Sequence, residues 1–170
     1  MLIRCIDGLT EQIGRCCGVM TIIMTFLTTL IVVMRYVFDI GFIAMQEGAT
    51  YLHASIFMLG VAYALRRKGH VRVDLIYKGL SERTQAWIDL VGHIAFLFPL
   101  AAFIIYISWD FVAGSWAIKE ASSDAGGLPI VYLLKSLIPL SASLLALQCV
   151  AELLRAISTV LKPVTEQEAN

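Results

Sequence analysis

Seven side chains in this 170-residue sequence are of types suited to redox, metal or cofactor chemistry. They are Cys5, Cys16, Cys17 and Cys149, and His53, His70 and His93. Two histidines at matched depth on facing helices can clamp a haem, and cysteines facing an oxidising compartment can make disulfides. Neither arrangement is present. His53 lies five residues inside an uncharged run, 48–65. His93 lies three residues inside another, 90–109, which is entered from the opposite side. At helical rise their depths differ by roughly 15 Å, too far for one haem. His70 lies between the two runs. The four cysteines cluster at one side of the uncharged runs. No His, Cys, Asp and Glu cluster has metal-ligand spacing, and no phosphate loop, nucleophile elbow or zinc-protease motif occurs. The expectation is a chain with no catalytic residue, no cofactor and no metal.

Cargo binding is the next chemistry to consider. A small autonomous transporter needs an ionisable group inside the membrane to hold its substrate or proton. Four uncharged runs, 16–34, 48–65, 90–109 and 136–151, contain no Asp, Glu, Lys or Arg. Gln148 and His53 are their main polar side chains. A membrane redox protein or a stand-alone four-helix exporter therefore remains only as an alternative to a scaffold.

The elements that carry these residues follow from the same runs. A helix needs about 20 residues to cross the hydrocarbon, and apolar residues extend the last run outward. Four spans result, at about 16–34, 48–65, 90–109 and 130–151. Continuous rather than alternating apolar character excludes a β-barrel. The expected fold is an all-α integral membrane domain over residues 1–162, with a polar tail over 163–170. Ten basic residues fall on the side of the termini and of the loop between spans two and three. Only Arg35, Lys119 and Lys135 fall on the other, so both termini are expected in the cytoplasm.

Composition agrees. Hydrophobic residues make up 59% of the chain and charged ones 15%, and thirteen basic residues balance thirteen acidic ones. About 25% charge is usual for soluble domains. A nucleic-acid binder, a disordered chain and a disulfide scaffold are excluded.

Local signals add detail. Ser81 is an expected N-cap for the third helix, which should run unbroken toward Lys119. Pro129 is expected at the first position of the fourth helix, and Pro99 and Pro139 should kink their spans. Gly14, Gly18, Thr21, Thr25 and Thr28 form a small-residue stripe, for packing within the chain or against another subunit. Arg35 and Glu47 flank one loop and can pair across it. Arg66, Arg67 and Lys68 follow the second span directly and should meet anionic headgroups, as should Lys135 at the other interface.

Several ordered motifs carry a family resemblance. Arg35-Tyr36-Val37-Phe38 closes the first span and Gln46-Glu47 opens the second. The run from Phe57 through Gly60, Arg66, Arg67, His70 and Arg72 to Asp74 is the most distinctive stretch. Ser123-Asp124, Gly127-Leu128-Pro129, Lys135, Ile138-Pro139 and Leu147-Gln148 follow in order. Together they resemble the small, DctQ-type membrane subunit of tripartite ATP-independent periplasmic (TRAP) transporters. Ala44 stands where the family often has Trp. The resemblance implies a non-catalytic scaffold in a bacterial or archaeal inner membrane. It implies a large multi-span subunit that carries the substrate and Na⁺ sites, and a periplasmic binding protein that delivers an organic acid. His70, Arg72 and Asp74 would then fix a cytoplasmic turn or touch the large subunit.

Overall fold

The computed structural model describes residues 1–67 and 79–161. His70, Arg72, Asp74, Lys68 and the 163–170 tail lie outside the described residues. Helix α1 spans Leu2–Val37 and α2 spans Ile43–Arg66. Helix α3, Glu82–Gly92, passes through a π-helical turn, His93–Leu97, into α4, Phe98–Ala117. Helix α5 spans Val131–Val160. Four stretches are long and apolar enough to cross a membrane: α1, α2, α3 with α4, and α5.

Helix α5 is the centre of the bundle. It packs against α1, α2, α3, the π-turn and α4. In its most apolar window 28% of residues are buried, against 6–11% in the other three spans. Its contact faces carry Ala142, Ala151 and Ala156, which let neighbouring backbones approach closely. Helix α1 presents a seam of Ile6, Thr10, Ile13, Cys17, Met20, Met24, Leu27, Ile31 and Met34, all buried or half-buried. These recur every four and three residues, the 3.5-residue period of a left-handed helix pair. The rest of the apolar surface faces outward: Phe26, Phe57, Phe96 and Ile107 are all more than half exposed. In water this surface would be untenable; in lipid it is the solvated face.

The helix ends depart from expectation in instructive ways. The charged residues before residue 16 do not delay α1, which starts at Leu2. Ser81 caps α3 as expected, accepting from the Thr84 N–H at 3.3 Å. The third helix runs on as expected, from Glu82 to Ala117, but its hydrogen-bond pattern changes on the way: Pro99 has no N–H to donate and its ring would strike a carbonyl one turn back. The chain accommodates it with the π-turn, in which Phe98 N–H reaches His93 O. The helix then ends at Ala117, and Lys119 takes a left-handed conformation, φ 49°. Pro129 is not the first helical residue. It precedes the non-helical N-cap Ile130, because bonds to Leu128 hold this stretch in the loop. Pro139 lies inside α5, and the Ser143 hydroxyl donates to its carbonyl at 2.7 Å. Thr21, Thr25, Thr29, Thr50 and Ser55 likewise bond carbonyls four residues back in their own helices, which hides hydroxyls from lipid.

The small-residue stripe on α1 divides. Gly14 lies under the Tyr63 ring of α2, where a Cβ would overlap the ring carbons. Gly18 has open space at the Cβ position, and Gly18, Thr21, Thr25 and Thr28 are exposed. Gly14→Val should therefore destabilise the bundle by about 1–3 kcal/mol, the usual cost of overpacking. Gly18→Val should be near neutral. Thermal unfolding of the two variants in detergent distinguishes them.

Candidate functional site

Charged and polar side chains gather at the two ends of the bundle. At the end where the N-terminus lies, α1 supplies Asp7, Thr10 and Glu11, α2 supplies Arg66 and Arg67, and α5 supplies Gln148, Glu152 and Arg155. Gln148 is wholly buried. It accepts from the Thr10 hydroxyl at 2.8 Å, and its amide donates to Glu152 at 3.1 Å and to Asp7 at 3.4 Å. Arg155 donates to both Asp7 and Glu152. Arg66 pairs with Glu11 and approaches Asp7 at 3.6 Å. Arg67 forks onto both Glu11 oxygens at 2.9 and 3.0 Å, with its guanidinium over the Tyr63 ring. Three acids thus meet three arginines, with the acids only 14–21% exposed. The spacing explains the local arrangement: Asp7, Thr10 and Glu11 share one face of α1, and Gln148, Glu152 and Arg155 one face of α5.

A polar cleft of about 450 Å³ opens beside this clasp, lined in part by Arg66, Asp89, His93 and Arg155. His93 is buried, with its Nδ1 bonded to Asp89 O four residues back. Among the described residues two buried polar side-chain atoms have no partner, His93 Nε2 and Ser115 Oγ. No cluster of His, Cys, Asp and Glu able to hold a metal occurs among the described residues. The four cysteines are free thiols.

At the other end, the expected pair of Arg35 with Glu47 does not form. Glu47 turns to the next hairpin instead. It accepts from the Ser122 hydroxyl and from the Leu128 N–H, the latter at 2.6 Å. Gly127 is needed there: a Cβ would fall on Ser122 and 2.8 Å from a Glu47 oxygen. Lys135 does not reach for headgroups. It pairs with Glu120 and lies over the Phe111 ring. Trp116 donates to Ser136 at 2.7 Å and meets Tyr132 edge-on, while Lys119 sits over both rings.

Of the residues singled out in the sequence, the structure joins Arg66, Arg67 and Gln148 at one end. It places Glu47, Gly127 and Lys135 at the other. Pro129 flanks that loop, Pro139 and Gly60 lie within helices, and Arg35 stays exposed outside both groups. Arg66 pairs with Asp7 and Glu11, and Arg67 pairs with Glu11 while staying more than half exposed, so both guanidiniums have protein partners beyond the sequence expectation. Sequence reasoning missed Asp7, Glu11, Glu152 and Arg155. Their signal was available, as acids and a base at one-turn spacing on segments flanking spans at the same depth.

An apolar four-span bundle with charge gathered at its ends has the form of a polytopic membrane protein. Residues 24–159 match the family of tripartite ATP-independent periplasmic transporters, DctQ component. The chain belongs to that family: it is a transporter component and not an enzyme. The match begins downstream of Asp7 and Glu11, so the α1 half of the clasp lies outside it. No curated protein sequence matches the chain.

Two outcomes follow. Replacing Gln148 by Leu leaves Thr10, Asp7 and Glu152 short of partners and should destabilise by about 1–3 kcal/mol. Adding Thr10→Val should cost less than the sum of the single changes, because the two share a bond. A double-mutant cycle by thermal unfolding measures this. The second outcome concerns pH. The Lys135 ammonium holds the Glu120 carboxyl below its ordinary value of 4.5. The contact thus stabilises fully above that value and is lost as pH falls through the lowered one. Trp116 fluorescence should stay flat from pH 8 to pH 5 and change only in more acidic solution.

Proposed function

We propose that this chain is the small permease subunit of a TRAP-type secondary transporter. It extends the static scaffold against which a large elevator-type membrane subunit moves. The large subunit holds Na⁺ and an organic acid, and a periplasmic binding protein delivers that acid. Both termini lie in the cytoplasm, where Arg4, Arg15 and Arg83 meet anionic lipid and where His70, Arg72 and Asp74 fix the turn or touch the large subunit. The stripe of Gly18, Thr21, Thr25 and Thr28 faces that subunit.

One observation carries the reading. No charged side chain lies within the four uncharged cores, and the polar groups at the bundle ends bond largely to one another. A bundle so arranged has little with which to coordinate Na⁺ or a carboxylate in mid-membrane, so cargo must be held elsewhere.

The test is reconstitution. In proteoliposomes this chain alone should move no solute. With a large TRAP membrane subunit and a binding protein added, Na⁺-dependent uptake of an organic acid should appear. Uptake by this chain alone would overturn the proposal.

A further inference from the structure

The polar cleft beside the clasp has no part in the scaffold reading. It is lined from α2, α3 and α5, and the sequence sets its depth. Glu82 and Asp89 come just before the uncharged run 90–109. Glu152 and Arg155 come just after 136–151, and Arg66 just after 48–65. Three runs thus end at the cleft, which places it at the level of lipid headgroups. The rest of α3 shows Trp87, Ile88 and Val91 outward, a surface suited to a membrane interface.

The cleft keeps its space because two of its buried lining residues, Ala86 and Ala156, are small. Its charges are sorted. Helix α3 contributes Glu82 and Asp89 and no base, and both arginines, Arg66 and Arg155, come from α2 and α5. Glu82 is exposed and makes no ion pair among the described residues. Both guanidiniums serve the clasp, yet each has five N–H donors and the clasp engages no more than two nitrogens of either.

His93 is the second observation. It lines the cleft, is only 8% exposed, and its Nε2 has no partner. Its Nδ1 faces the Asp89 carbonyl and so carries the proton. In the neutral ring Nε2 is then an acceptor without a donor. The α3 side of the cleft is rich in acceptors, and the α2 and α5 side holds spare donors.

We propose that this cleft binds the headgroup of one phosphatidylethanolamine molecule, with its phosphate on Arg66 and Arg155 and its ammonium among Glu82, Asp89 and His93. A zwitterion matches the sorted charges. Phosphatidylglycerol brings a phosphate but nothing cationic for the carboxylates. Phosphatidylcholine brings a cation, but a quaternary one with no N–H to donate. A lipid is favoured over a soluble amine phosphate because the cleft lies at headgroup depth, where lipid is the surrounding solvent. The inference does not depend on the scaffold reading; it needs only that the four runs lie in a bilayer.

The experiment uses the full chain purified in detergent. It is incubated with equal amounts of phosphatidylethanolamine, phosphatidylcholine and phosphatidylglycerol of identical acyl chains, and bound lipid is counted by native mass spectrometry. One tightly held phosphatidylethanolamine is expected, favoured about tenfold over either competitor, the factor for one charged hydrogen bond. Glu82→Gln changes an exposed side chain outside the clasp and should cut that preference about threefold or more. Ala156→Leu fills the cleft and should remove it, with circular dichroism reporting that each chain is folded. Equal retention of the three lipids, or a preference for phosphatidylglycerol, would overturn the proposal. Unchanged preference in folded Glu82→Gln and Ala156→Leu chains would overturn the site. Glycerophosphoethanolamine, the same headgroup without acyl chains, should compete only in large excess. Competition at equal concentration would overturn the lipid as the source of the headgroup.

Discussion

Hydrocarbon supplies no hydrogen-bond partner, and Gln148 shows how the bundle meets that constraint. Its side chain lies wholly inside the structure on the central helix, and both its oxygen and its nitrogen are bonded, to Thr10, Asp7 and Glu152. Asp7 and Glu152 are in turn neutralised by Arg155 and, for Asp7, by Arg66. The amide is thus the neutral core of a charge-balanced group that ties α1, α2 and α5 together. Exposed ion pairs are worth little. These are partly buried, share oxygens and fix three helices at once, so their geometry matters more than their number.

The opposite end solves the same problem with a loop. Glu47 opens α2 and satisfies a backbone N–H and a hydroxyl of the next hairpin, with Gly127 leaving room for the carboxylate. Lys135 and Glu120 pair beside it. Between these ends the helices rely on shape: alanines on α5, Gly14 beneath Tyr63, and a 3.5-residue seam on α1. Polar groups bonded to one another at both ends, with an apolar middle, tie the four spans into one bundle.

Much of this was legible in the sequence. The four spans follow from where the charges are missing, and the family follows from Arg66-Arg67 in its central run and from Gly127 to Gln148 in its last hairpin. The pairings were not legible. Arg66 following a span directly reads as a headgroup anchor. That Asp7, 59 residues earlier, lies beside it depends on α1 continuing back to Leu2, and charge near a membrane edge does not reveal whether a helix has begun. Glu47 choosing Ser122 and Leu128 over Arg35 is likewise a tertiary outcome. The π-turn at His93–Leu97 had a visible cause in Pro99, but proline admits a kink, a break or a widened turn. Packing decides among them.

The static scaffold proposed for this chain requires that it keep its shape while the transporter works. Spin labels at Leu9 and Leu133, both exposed and near opposite ends of the bundle, would report it directly by pulsed electron paramagnetic resonance. Measured in the complete transporter, the distance distribution should be the same with and without Na⁺ and substrate. A substrate-dependent shift of several ångströms between those labels would contradict the account.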